Sequence, residues 1–210
     1  MRIAFISDTH GHKVALPDAD VLVHCGDALL HGTEKEFLNF IRWIDRAAKH
    51  EYILYVPGNH DFYVQENPEK AIRLAESIDM TLLIDRAVVI KDTKFYGSPW
   101  QPWFHDWAYN FASWDDGSEA RSKWAEIPQD TDVLITHGPP RDMRDETEEG
   151  ERVGCPHLCD RVLAVKPKIH AFGHIHEGYG STREGETWYV NASTCNRRYA
   201  PVNAPITVDL

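Results

Sequence analysis

The chain has 210 residues, 42% of them hydrophobic, and its 33 Asp plus Glu against 22 Lys plus Arg give a net charge of -11. That length and apolar content suit a single domain over residues 1–210 with a sizeable buried core. The acidic balance excludes a long nucleic-acid track, which needs a basic stripe, and no apolar stretch approaches the length that spans a membrane.

Nothing after Met1 reads as a signal peptide, because Arg2 leads at once into a short strand-like run that stops at Asp8. Cys25, Cys155, Cys159 and Cys195 are scattered, and the Cys155 and Cys159 spacing lacks the second pair that a zinc motif would want. The cysteines therefore read as free thiols and the location as cytoplasmic.

In chain order, Ile3 to Ile6 is an apolar run ending at Asp8 and His10, and Val21 to Val23 is a second ending at Gly26 and Asp27. Thr33 followed by Glu36 is a capping box, and Phe37, Phe40, Ile41 and Ile44 then recur at helical spacing to about Lys49. Ile53 to Val56 is a third strand, ending at Gly58, Asn59, His60 and Asp61. Asn67 and Pro68 mark the start of a helix, with Ile72, Ala75 and Ile78 or Ala71, Leu74 and Ile78 as its buried stripe. Extended runs follow at 81–84, 87–91 and 94–98.

The pattern next predicts a helix from Ser118 to about Glu126, a strand from Val133 that ends at Thr136 before His137, a loop to Gly154 and a helix to about Val165. Ile169 to Phe172 is a strand ending at Gly173, His174 and His176; Thr182 to Val190 reads as a hairpin turning at Glu184 and Gly185, and Ile206 to Leu210 as a closing strand. This α/β alternation followed by antiparallel elements implies helices packed outside sheet, with the polar clusters gathered at strand ends.

Those clusters carry donors for metal ions. Asp8 and His10 are two apart, so at the end of an extended segment both would point the same way, and His174 with His176 repeat that spacing. Asp27 follows a glycine that allows close backbone approach, and its two oxygens suit a bridge between cations. Asn59 offers an amide oxygen and His137 an imidazole nitrogen. Asp8, His10, Asp27, Asn59, His137, His174 and His176 are too many donors for one tetrahedral ion and fit two ions that share a carboxylate.

The ordered blocks D-x-H (Asp8, His10), GD (Gly26, Asp27), GNHD (Gly58 to Asp61), H (His137) and GHxH (Gly173 to His176) resemble the calcineurin-like metallophosphoesterase superfamily. The stretches Tyr96 to Phe104, Thr136 to Pro140, Gly178 to Gly180 and Asn191 to Cys195 are further similar to the metallophosphoesterase domain-containing subgroup, which has cyclic-nucleotide phosphodiesterase activity. That subgroup includes animal members lacking the first histidine of the last block. Here His174 is present, so the resemblance implies a complete two-metal site. It also implies a four-layer sandwich of two mixed β-sheets flanked by helices, with the metal site at strand ends.

The resemblance places Asp8, His10, Asp27 and His176 on one ion and Asp27, Asn59, His137 and His174 on the other. It implies a hydroxide held between them as nucleophile and His60 as the residue that assists the leaving oxygen. Mixed oxygen and imidazole donors suit manganese, iron or zinc. Where protein phosphatases carry GDxxDRG, Leu30 and His31 replace the Asp and Arg, which argues against a phosphoprotein substrate. The leading function is a phosphodiesterase acting on a small diester, a cyclic nucleotide among the candidates. The alternatives are a phosphomonoesterase of the same fold and a non-catalytic metal-binding scaffold.

Four features carry no role in the implied two-ion site. Asp61 could orient His60, but neighbours on an extended segment point apart. The aromatic run Trp100, Trp103, Phe104, Trp107, Tyr109, Phe111 and Trp114 reads by default as rings packed onto the scaffold, and otherwise as a wall on which a nucleobase stacks. The charged loop from Arg141 to Arg152 reads by default as a solvated segment, and otherwise as a flap that brings an arginine to phosphate. Asn191 is either a site residue or a turn cap. The remaining histidines, His12 among them, are read as ordinary core or surface residues.

Overall fold

The computed structural model describes residues 1–112 and 116–210. Its first elements are β1 (Arg2–Ile6), β2 (Val21–His24), α1 (Glu34–Ala47), β3 (Tyr52–Tyr55), α2 (Phe62–Glu66), α3 (Pro68–Glu76) and β4 (Met80–Leu82). Next come β5 (Arg86–Ile90), β6 (Thr93–Ser98), α4 (Ser118–Ala125), β7 (Val133–Thr136), α5 (Pro156–Val165) and β8 (Ile169–Phe172). A 3₁₀ turn at His176–Gly178 leads to β9 (Gly180–Glu184), β10 (Thr187–Asn191) and β11 (Ile206–Asp209).

The strands form two mixed sheets, of order β11-β1-β2-β3-β4 and β5-β6-β7-β8-β10-β9. β1 to β4 are parallel and β11 closes antiparallel on β1; in the other sheet β6, β7, β8 and β10 are parallel, with β5 and β9 antiparallel at the edges.

The period of two along each strand builds the layers. Ile3, Phe5, Val21, Val23, Leu54 and Val56 of the first sheet meet Val133, Ile135, Ile169, Ala171 and Val190 of the second in a core between the sheets. The alternate residues Ala4, Ile6, Leu22, Ile53 and Tyr55 face outward onto α1, α2 and α3. On the far side Leu134, Phe172 and Tyr189 pack against Trp124 of α4 and Leu158 and Val162 of α5. Both faces of each sheet are covered, so the central strands are continuous apolar runs, and the result is the four-layer sandwich.

Helix starts follow the sequence signals. The Thr33 hydroxyl accepts the Glu36 N–H at 3.3 Å, and the Glu36 carboxylate accepts the Thr33 N–H at 3.0 Å, completing the capping box of α1. In α3, Ala71 and Ala75 are buried, with Ile72 and Leu74 packed alongside. The short helix α2 had no periodic signal to announce it. It exists because Tyr63 and Val64 are buried and the Tyr63 N–H donates to Gly32 O at 3.0 Å, and a helix that short needs such tertiary support. The four cysteines are free, as their spacing implied. Among the described residues no helix is long and apolar enough to cross a membrane.

Candidate metal centre

The polar clusters all lie just beyond the C-terminal ends of parallel strands, where an open α/β sheet gathers its ligand groups. Backbone bonds lock these loops together: Asp8 N–H donates to Gly26 O at 2.9 Å, His10 N–H to Asp27 O at 3.0 Å, and Gly173 N–H to His137 O at 2.9 Å. His24 at the end of β2 staples two of them from below, accepting the Gly26 N–H at 3.3 Å on Nδ1 and donating from Nε2 to the Thr9 hydroxyl at 2.9 Å. Burial drives its imidazole down to about 3, so it stays neutral, an ordinary satisfied core histidine.

Convergence of Asp8 with His10 is achieved differently from the extended segment expected from their spacing. Asp8 (φ 51°), His10 (φ 43°), Asp27 (φ 56°) and His174 (φ 66°) all adopt left-handed backbone, which L residues seldom do. The strands stop and the chain coils at the site, so the side chains are aimed by turns rather than by the pleat. Such strain is held by surrounding structure and concentrates at functional positions.

Ligand-type atoms come together in overlapping groups: Asp8, His10 and His176; His10, Asp27 and His60; and Asp27, His137 and His174. Asp27 belongs to two of them. Asn59 adds its Oδ1 at 2.8 Å from His137 Nε2. The Nδ1 atoms of His10, His60, His137 and His176 face the carbonyls of Leu29, Leu30, Cys25 and Asn196 at 2.7 to 3.1 Å. A carbonyl only accepts, so each Nδ1 carries a hydrogen and each ring turns its Nε2 inward as the atom left to bind a cation. His10 Nε2 then meets His176 Nε2 at 3.4 Å, and His137 Nε2 lies 3.4 Å from Asp27 Oδ1. Lone pairs converging on lone pairs are the donor arrangement that a cation relieves, so these residues fit metal ions.

The carboxylates agree with that reading. Burial works to raise Asp27, but the neighbouring His137, His60 and His10 outweigh it and hold the carboxyl below the usual range; Asp8 is held well below it against burial by His176. His137 goes the other way: burial lowers it, yet contact with Asp27 carries it up to about 9. His174 touches no carboxylate so closely, and burial together with His137 brings it down to about 3.

Asp61 has a different job from the one weighed for it. Its carboxylate accepts the N–H groups of Asp27 at 2.9 Å, Leu29 at 3.0 Å and Gly58 at 2.6 Å, tying the loop after β2 to the loop after β3. It positions Asp27 rather than His60. Burial and the Asp27 charge raise it to about 6 despite those bonds. Gly26 is also required there, because its φ is +107° and an added Cβ would collide with the His137 ring.

Residues 1–178 match the family model described as calcineurin-like phosphoesterase. The chain belongs to the calcineurin-like phosphoesterase family. It is 38% identical to human metallophosphoesterase domain-containing protein 1, across all of this chain and 71% of that protein, and 33% identical to the Caenorhabditis elegans UPF0046 protein T07D4.2, across all of this chain and 60% of that one. Among solved structures, TT1561 of Thermus thermophilus superposes with a TM-score of 0.63 at 16% identity, covering 90% of this chain and 88% of that one. A protein described as a novel archaeal phosphodiesterase does so with a TM-score of 0.50 at 16% identity, covering all of this chain and 93% of that one. These structural likenesses are likenesses of fold.

In this calcineurin-like phosphoesterase a cavity of about 640 Å³ opens over Asp27, Asn59, His60, His174 and His176, a size that suits a small-molecule ligand. The aromatic run divides between the two readings of it. Tyr109 and Phe111 are buried and Trp100 stacks on Phe111 at 6.0 Å, so these rings pack the scaffold. Trp103, Phe104 and Trp107 line the cavity, and Trp107 lies over the His60 ring at 4.3 Å. Trp114 lies outside the described residues. The division follows from the pairing of Gln101 with Asn110, which folds the segment back so that its middle projects over the site.

The charged loop is clamped rather than loose. Arg144 donates to the carbonyls of Gly178, Tyr179 and Ser181, and Arg152 is ringed by Asp142, Asp145 and Glu146. Arg141 and Arg152 line the cavity. Asn191 is a cap: its amide donates to Ile175 O at 2.8 Å and steadies the turn carrying His174 and His176. His12 stays out of the donor clusters and donates to Tyr199 O at 2.9 Å.

Sequence reasoning missed Ser193, whose hydroxyl donates to Asp8 at 2.9 Å, and Tyr199, whose ring meets His10 at 4.7 Å. Ser193 falls in the Asn191 to Cys195 stretch already noted for its similarity, which was a signal. Tyr199 follows every motif and had none.

Proposed function

We propose that the protein is a dinuclear metal-dependent phosphoesterase, acting as a phosphodiesterase on a small diester, with cyclic nucleotides among the candidates. The observation that carries this is Asp27, whose carboxylate is shared between the donor group containing His10 and the one containing His137 and His174. One ion would be held by Asp8, His10, Asp27 and His176, and the other by Asp27, Asn59, His137 and His174. Manganese, iron or zinc fits such mixed oxygen and imidazole donors. When bound, the two ions would supply positive charge to the phosphoryl oxygens and acidify a coordinated water.

The remaining chemistry belongs to the chain. His60 is fixed by its bond to Leu30 O at 2.7 Å and by Trp107, so that Nε2 faces the cavity 3.9 Å from Asp27 Oδ2. A proton taken up at that Nε2, with Nδ1 still bonded to Leu30 O, would pass to the leaving oxygen as the ester bond breaks. Room beside Trp103, Phe104 and Trp107 supports a diester, whose second ester group needs space and apolar contact. The reading takes residues 1–210 as one domain, supported by the closure of β11 onto β1. It keeps small phosphoesters as partners and leaves out long nucleic acid and membrane, in line with the net charge of -11. The free thiols favour a cytoplasmic location.

The test is hydrolysis of a chromogenic bis-aryl phosphate by metal-free and manganese-loaded protein, beside the corresponding monoester. Metal-dependent turnover is expected, faster on the diester. His60→Gln should lower kcat by about 10²- to 10⁴-fold at unchanged metal content. Faster monoester turnover would favour the monoesterase, and no metal-dependent turnover on either substrate would leave the scaffold.

A further inference from the structure

The turn after β10 lies beyond the residues that the family model matches, yet it reaches the centre of the site. Asn196 builds it: its Oδ1 accepts the N–H groups of Arg198 at 2.9 Å and Ala200 at 3.2 Å, and its own N–H donates to Ala200 O at 2.9 Å. Its carbonyl accepts both the Tyr199 N–H at 2.8 Å and His176 Nδ1 at 3.0 Å. Arg197 fastens the turn to the charged loop and the 3₁₀ turn through Glu148 at 2.6 Å, Glu149 at 3.0 Å and Glu177 at 3.4 Å.

Tyr199 is held in this turn at φ 57°, a backbone conformation that an aromatic residue occupies only under constraint. Its ring stands edge-to-face on His10 at 4.7 Å and 80°, on His176 at 5.7 Å and 87°, and on His60 at 6.0 Å and 69°. The Nδ1 bonds to Leu29 and Asn196 fix the tautomers of His10 and His176, and the phenyl ring blocks the swing of both imidazoles toward the open cavity.

We propose that Tyr199 is a positioning residue for His10 and His176, and so sets the affinity of the ion that they and Asp8 would hold; this rests on the two-ion reading above. A glycine there would relax the turn but remove the ring face against which both imidazoles pack, leaving each held by its Nδ1 bond alone. His137, His174 and Asn59 are outside the contacts of the ring, so the other ion is unaffected.

Calorimetric titration of metal-free wild type, Tyr199→Phe and Tyr199→Gly with manganese tests this, alongside thermal unfolding of the metal-free proteins. In the glycine variant one binding step should weaken about 10- to 100-fold, the effect typical of losing a residue that orients a metal ligand, while the other step stays as in wild type. The metal-free glycine variant should melt no lower than wild type, since glycine is at ease at positive φ. The phenylalanine variant should bind both ions normally, because the contacts use the ring and not the hydroxyl. Two unchanged steps in Tyr199→Gly, or equal weakening of both with a lower melting temperature, would overturn the proposal. Failure of the wild type to bind two ions would overturn the two-ion reading as well.

Discussion

His10 and His176 face each other through their Nε2 atoms at 3.4 Å, each with its Nδ1 hydrogen tied to a backbone carbonyl. Neither ring can rotate to offer that hydrogen to the other without abandoning its carbonyl. Ions that accept both lone pairs should therefore stabilise the fold. At a manganese concentration about 100 times Kd, the gain should be about 2.7 kcal/mol per site, read as a rise in melting temperature that a chelator reverses. Asp27→Asn should reduce the rise from both sites together, because the two donor groups share that carboxylate.

Asp61 offers a separate test of how the site is held. Its carboxylate is the acceptor for three backbone N–H groups, from Asp27, Leu29 and Gly58. Asp61→Ala strands these donors in a buried place, at about 1 to 3 kcal/mol for each that finds no substitute. Urea unfolding should show a loss of about 3 kcal/mol when all three donors stay unpaired at the low end of that range. Asp61→Asn, which keeps one acceptor oxygen, should lose less.

Gly26→Ala should be damaging although it adds one methyl group. The position has φ +107°, and the new Cβ would sit against the His137 ring and 3.0 Å from Gly58 Cα. Overpacking of this kind costs about 1 to 3 kcal/mol, and the ring that must give way is one of the donors around Asp27. Chemical unfolding should show the destabilisation, and a manganese titration should show one binding step weakened beyond the other.

Acid should destabilise the protein through histidines that are buried neutral and must take up a proton to unfold. Burial lowers His170 on β8 from 6.5 in the unfolded chain to about 3 in the native state, and its ring stays neutral, facing the Thr136 hydroxyl at 2.9 Å. Above pH 6.5 both states are unprotonated and this group contributes no pH dependence. Below it the unfolded chain binds the proton and the native state does not, so stability falls as pH drops from 6.5 toward 3, by about 2 to 3 kcal/mol at pH 4.5. His170→Gln should reduce the dependence of the urea midpoint on pH across that window, leaving the similar contributions of His24 and His174.

Much of the site was legible because a donor residue directly after an apolar run marks where a strand stops and chemistry begins. Asp8, Asp27, Asn59, His137 and His174 each stand in that place, and the Thr33 capping box fixed the start of α1. The reason inferred for the convergence of Asp8 and His10 was nonetheless wrong, since left-handed turns and not an extended pleat aim them. Backbone conformation of that kind is imposed by the packed loops around it, here the bonds from Asp8 and His10 to Gly26 and Asp27. Local residue types do not encode it.

The aromatic and charged segments show the other limit. Seven rings within fifteen residues could be counted but not sorted, because whether a ring meets the core or the cavity depends on the Gln101 to Asn110 pairing. Arg144 and Arg152 look alike in a charged run, yet one is spent on backbone carbonyls and the other on carboxylates. The sequence by itself determined the family, the donor types and their order, since these are properties of residue identity and spacing. Only the tertiary structure decided which imidazole nitrogen faces inward, that Asp61 steadies Asp27, and that Tyr199 stands against His10 and His176. Those outcomes depend on carbonyls and ring faces contributed from far along the chain, and a carbonyl looks the same in every residue.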